Sequence, residues 1–181
     1  MCKEHPFHSI YQVFCLLPSE TSDRSAGRGQ AAKEILHCLR NVSDRTTRER
    51  VLQIERLSAA CLQWAEHKFF ADKKDKHLAP IPNKSTSIPR SQTILSIHNL
   101  KIPALTSHTP LDPTLRYDNI PTIKSYEKSF VVLGGINLPK VSTCLTTDGK
   151  AHKQLVSNCS GYRLVSNPCS LKAMTIYVKT L

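Results

Sequence analysis

An Asp-Gly pair, Asp148-Gly149, stands between two runs that alternate with the period-two pattern of strands, Val141 to Thr146 and His152 to Val156. Asp and Gly tolerate the backbone conformations of tight turns, so Asp-Gly between alternating runs is the strongest short-range signal of a β-hairpin. Upstream, Phe130-Val-Val-Leu133 is a third apolar run, and it stops at Gly134-Gly135. The predicted local order is strand, Gly-Gly loop, strand, Asp-Gly turn, strand. From chemistry alone the two glycines fit a tight turn or bulge as readily as a loop that lets backbone approach a ligand.

The first 70 residues have the other period. Ala31, Ile35, Leu39 and Val42 fall on one face of a segment from about Gln30 to Asn41. Val51, Ile54, Leu57, Cys61, Leu62 and Ala65 do the same in the next, with Phe69 extending the stripe. Ser43 or Asp44 is placed to cap that second helix. Trp64 reads as a packing residue. Between helices and strands, Ala79 to Arg90 is rich in proline and serine, and helix is not expected there. Further prolines at 103, 110, 113 and 121 keep the chain extended or turning, and Thr93 to Leu105 alternates loosely, as a connector strand would. The fold class that follows is α+β, amphipathic helices joined by a Pro-rich linker to an incomplete antiparallel sheet.

The formal charge of +11 invites a nucleic-acid reading, but the excess is spread along both halves of the chain. The densest cluster, Lys73, Lys74 and Lys76, is interrupted by Asp72 and Asp75, which reads as a solvated loop. Seven cysteines without CxxC spacing or a matching His pair give no zinc site, and all seven are expected to be free thiols. The start is polar, and the apolar run Ile10 to Leu17 is too short to span a membrane, so the nucleus or the cytoplasm is the expected compartment. His5 and His8 lack a carboxylate or cysteine to complete a metal site and read as helix-surface histidines. Ser91-Gln92 is a lone Ser-Gln pair in what reads as a flexible linker.

The stretch from Ser125 through Phe130-Val-Val-Leu-Gly-Gly-Ile-Asn-Leu-Pro-Lys140, followed by Thr147-Asp-Gly-Lys150 and Lys153-Gln-Leu-Val156, closely resembles the opening of the kinase N-lobe in the phosphoinositide-3-kinase-related protein kinases. Thr106 to Pro110 and Tyr117 to Ile123 are similar to the approach to that domain. Met1 to His8 is similar to the start of a helical stretch at the end of the FAT region, the α-solenoid that embraces the kinase. The resemblance implies four parts: residues 1–72 as the end of a FAT-like helical region, 73–122 as linker and connector, 123–156 as a partial N-lobe, and 157–181 as an unmatched tail.

It also implies that Leu133 to Lys140 is the loop covering nucleotide phosphates, with Gly134, Gly135, Ile136, Asn137, Leu138, Pro139 and Lys140 as the candidate nucleotide-binding residues. Lys140 is expected either to lend its charge or to be a solvated loop lysine. ATP and magnesium are the cofactors implied for the parent kinase, a DNA-damage-response enzyme acting on Ser/Thr-Gln sites. In that family a phosphate-anchoring lysine follows Gln-Leu-Val, whereas here Ser157 follows Val156. A neutral hydroxyl supplies no positive charge for phosphates. The match breaks between those two residues, so the chain is expected to be a truncated, catalytically inactive piece that binds no nucleotide productively. The alternative is a non-catalytic helical fragment that competes for surfaces of the parent kinase, its dimer or its regulatory partners. A sheet cut after three strands is further expected to leave an open edge and an uncovered face, and so to be marginally ordered and prone to aggregate.

Overall fold

The computed structural model describes residues 4–5, 7–10, 26–67, 81–104, 111–114, 117, 119–134, 139–158 and 174–178. Within these, residues 7–10 form a helical turn, followed by α1 (Ala26–Arg40) and α2 (Arg45–Glu66). Then come β1 (Ser85–Ser87), a 3-10 turn (Thr93–Ser96), β2 (His98–Pro103), β3 (Thr122–Val132), β4 (Lys140–Thr146), β5 (Ala151–Asn158) and β6 (Met174–Val178). The architecture is α+β, as the sequence implied. The lysine cluster at 73–76, Phe69 and most of the run from Ile10 to Leu17 lie outside the described residues.

Asp44 caps α2, its carboxylate accepting from the Thr46 and Thr47 amides at 3.1 and 2.9 Å. These satisfy two of the donors that a helix start leaves unpaired, and the Thr47 hydroxyl beside the Asp44 carboxyl holds it below its usual range. The buried face of α2 is Thr47, Val51, Ile54, Leu57, Ala60, Cys61, Trp64 and Ala65, close to the stripe read from the sequence, except that Leu62, expected on it, is exposed. The face of α1 is rotated from expectation. Ala32, Leu36 and Leu39 are buried, while Ala31 is exposed and Ile35 is 40% exposed. Two stripes share Leu39 in this segment, and docking on α2 selects the one carrying Leu36.

The strands make one six-stranded antiparallel sheet in the order β1-β3-β4-β5-β6, with β2 also on β3. Because β1 pairs with residues 129–131 and β2 with residues 122–125 on the edge away from β4, the two lie end to end along one side of the long β3. Of the proline- and serine-rich stretch Ser85–Ser87 is strand, and β2 falls in the Thr93–Leu105 run read as a connector strand. The backbone of that run is held by α2: Gln63 Oε1 accepts from the amide of Thr93 at 3.0 Å and from its hydroxyl. Arg56 donates to Ser96 O at 2.9 Å, and Gln53 Oε1 accepts from Lys101 N at 2.6 Å. Gln92 is buried at the start of the 3-10 turn, so the Ser91-Gln92 pair sits in ordered structure.

β4 and β5 form the expected hairpin, in register from Lys140–Val156 to Leu145–Ala151. Gly149 has φ +81° in its turn, and the Asp148 carboxylate accepts from the Thr146 hydroxyl at 2.6 Å. The sheet extends beyond the three strands expected: β6 pairs with the outer side of β5, and α2 packs on one face. Gly149→Ala forces a Cβ into left-handed backbone and should cost about 1–2 kcal/mol. A urea midpoint unchanged by that substitution would contradict the turn assignment.

Candidate functional site

Strand alternation puts Lys140, Ser142, Cys144 and Thr146 on the inner face of β4, and all four are buried. It is an unusually polar face, and each group meets a partner. Trp64, fully buried on α2, donates from its indole nitrogen to Ser142 Oγ at 3.0 Å and meets the Phe130 ring edge-on at 4.8 Å. Cys144 and Cys61 are free thiols that burial pushes up to about 12. Beside them Tyr126 donates to Gln154 Oε1 at 2.7 Å, and Gln154 reaches Ala104 O at 3.2 Å.

Lys140 is neither in the loop nor solvated. It is the first residue of β4 and is 4% exposed. Its ammonium donates to Trp64 O at 2.8 Å and Ala65 O at 2.9 Å, and lies 5.2 Å from the Trp64 ring centroid. The last carbonyls of a helix lack intrahelical partners and carry partial negative charge, so a cation from a neighbouring strand fits there. Burial lowers the Lys140 ammonium to about 8. His67, stacked on Trp64 at 5.8 Å, is lowered by burial and by the Lys140 charge.

The connection between β3 and β4 is closed at its base by the Val132–Lys140 pair and by Leu133 N donating to Pro139 O at 2.9 Å. Gly134 is exposed, and a Cβ built there would meet nothing within 4 Å. Packing therefore does not require glycine at this position. Of the seven candidate residues, Gly134, Pro139 and Lys140 are described; Gly135, Ile136, Asn137 and Leu138 lie outside the described residues. Ser157, at the anchoring position of the resemblance, follows the Lys140–Val156 pair in β5 and pairs with Thr175 of β6. The register thus sets residue 157 beside the base of the loop.

His5 and His8 are not plain surface histidines. His5 Nδ1 is 2.5 Å from the Tyr117 hydroxyl, and Phe7 meets the Tyr117 ring edge-on at 5.6 Å, which ties residues 5–8 to the approach to β3. Among the described residues no group of His, Cys, Asp or Glu could hold a metal ion, and no helix is long and apolar enough to cross a membrane. Sequence reasoning missed the role of Lys140 because its partners are carbonyls 75 and 76 residues away. The only local signal was a lysine at an inward strand position.

The pH dependence follows from the direction of each shift. Lys140 holds its proton less tightly in the folded chain, so its contribution to stability rises between about pH 8 and its ordinary value near 10.5. The raised thiols of Cys61 and Cys144 act oppositely, since above about pH 9 the unfolded chain loses their protons first. The lysine effect is isolated by comparison with Lys140→Met. The parent chain should gain stability relative to that variant as the pH goes from 7.5 to about 9.5 in urea titrations. A constant difference would show that the ammonium is solvated.

No family model matches the chain. It is 28% identical over 169 residues to the serine/threonine-protein kinase TEL1 of Cryptococcus neoformans, covering 90% of this chain and 5% of that protein. It is 33% identical over 177 residues to the serine-protein kinase ATM of Sus scrofa, with 84% and 5% covered. The tel1 kinase of Schizosaccharomyces pombe is 30% identical over 164 residues, with 85% and 5% covered. Among solved structures, the open conformation of CtTel1 superposes with a TM-score of 0.74 at 22% identity, over 88% of this chain and 6% of that one. The FAT and kinase domain of CtTel1 gives 0.67 at 21% identity, over 88% and 11%. The fold is shared with these kinases, and the chain is homologous to the Tel1/ATM serine/threonine kinases along a segment that spans 5% of their length.

Proposed function

We propose that this chain is the junction between the FAT helices and the kinase N-lobe of a DNA-damage-response kinase of the ATM type, and that the Gly134 loop is its phosphate-covering loop. The observation that carries the reading is the register at the loop base. An exposed glycine that packing does not require opens the β3–β4 connection, and residue 157 of β5 lies directly beside it. In a kinase N-lobe a glycine-containing loop covers the phosphates while a lysine on the next strand pairs with them. With magnesium, ATP bound there would supply the phosphoryl group in the parent enzyme; this chain's own contribution is backbone approach at Gly134. The parent enzyme on this reading acts in the nucleus on Ser/Thr-Gln sites.

The same register supports the view that the chain alone transfers no phosphate, because the anchoring position is Ser157. A buried or partly buried charge-assisted contact to phosphate contributes about 1.5–3 kcal/mol. Ser157→Lys should therefore tighten ATP binding by about ten-fold or more, read by competition with a fluorescent ATP analogue. The unaltered chain with magnesium-ATP and a Ser-Gln peptide should give no transfer above background. Equal ATP affinity in both chains would overturn the loop assignment, and transfer by the unaltered chain would overturn its inactivity.

A second reading, a helical fragment that competes for surfaces of the parent kinase, its dimer or its regulatory partners, is favoured by Ile35, Leu52 and Leu62, which stay exposed on the two helices. A solved CtTel1 dimer with C2 symmetry shares the fold. Addition of the purified chain to a purified dimeric parent kinase should then shift its sedimentation, and an unchanged profile would exclude it.

A further inference from the structure

Lys140 belongs to two structures at once. Its main chain closes the base of the Gly134 loop, through the Val132–Lys140 pair and the adjoining Leu133–Pro139 hydrogen bond. Its side chain ends on the last-turn carbonyls of α2, at Trp64 and Ala65. The neighbouring contacts repeat the connection. Trp64 reaches Ser142 two residues further along β4, and it meets Phe130 two residues before Val132 on β3. The end of α2 is thus held against both strands that enter and leave the loop.

The rest of the helix is tied to the same sheet. α2 is 22 residues long, capped by Asp44 at its start, and its Gln53, Arg56 and Gln63 side chains hold the backbone of residues 93–101. An ordinary cap would come from the residues next to the helix end and would report on nothing else. Here the capping cation is brought by the strand that terminates the loop. A shift of the last turn of α2 must either break two hydrogen bonds to a buried ammonium, which is costly, or carry residue 140 with it.

We propose that Lys140 is a positioning residue that couples the last turn of α2 to the base of the Gly134 loop. A displacement of the helical region is passed to the loop through the Nζ–carbonyl bonds rather than through the hairpin. That the loop meets phosphates rests on the reading given above; the coupling itself does not.

The test is amide hydrogen exchange on the 181-residue chain without nucleotide. Lys140→Met keeps an unbranched apolar stem against Trp64 and removes the charged donor. It should speed exchange at Leu133 and in the last turn of α2 together, by about ten-fold, while the Gly149 amide in the hairpin turn is unchanged. Leu62→Gly loosens α2 at a position outside the main buried stripe and should also speed Leu133 exchange. In the Lys140→Met background the effect of the same substitution on Leu133 should be several-fold smaller. The proposal is overturned if Lys140→Met frays α2 without moving Leu133, or if Leu62→Gly acts equally in both backgrounds. Should Lys140→Met fail to fold, Leu62→Gly alone decides: faster exchange at Leu133 supports the coupling, and no change overturns it. Failure here leaves the phosphate-loop reading untouched, and failure of Ser157→Lys to tighten ATP leaves the coupling untouched.

Discussion

The ammonium of a lysine that is only 4% exposed must have partners, and the arrangement of helix on sheet follows from where those partners can be found. Two carbonyls that no other backbone group needs occur together at a helix C-terminus. The requirement of Lys140 therefore fixes which part of α2 lies over the start of β4. It also sets the neighbouring contacts, since Trp64 must then sit between Phe130 and Ser142. The C-terminal partial charge of the helix and the Trp64 ring face both favour a cation there.

The same constraint accounts for the polar inner face of β4. A sheet that buried only aliphatic side chains against α2 would be more adhesive, but it would tolerate sliding of the helix along it. Lys140 and Ser142 each demand a particular partner and allow one position. On the other flank, Gln53, Arg56 and Gln63 extend from α2 to backbone groups of residues 93–101. Side chains of one helix thus hold the segment that supplies β2, which pairs with the side of β3 away from β4.

How much of this was legible follows from the range of each interaction. The hairpin was readable because Asp148-Gly149 and its flanking alternation are local, and so was the Asp44 cap with the α2 stripe. The face of α1 was ambiguous, because Ala31-Ile35-Leu39 and Ala32-Leu36-Leu39 have nearly the same helical spacing and only docking separates them. β2 lies in the Thr93–Leu105 run whose alternation was readable, whereas β1, three residues between Pro82 and Pro89, was hidden by its prolines. The loop candidates were found through resemblance rather than chemistry, and one of them, Lys140, turned out to be the link to α2. No local pattern distinguishes a lysine that will find carbonyls 75 residues away from one that faces water.

The contacts at Lys140, Trp64 and Ser142 make α2 and the sheet one cooperative unit rather than a helix beside a marginally ordered sheet. The chain has a single tryptophan, Trp64, at the joint itself. The direct measurement is urea unfolding followed both by Trp64 fluorescence and by amide protection in β4, on the same sample. Coincident transitions are the predicted result. Loss of the β4 protection at lower urea than the Trp64 transition would contradict it.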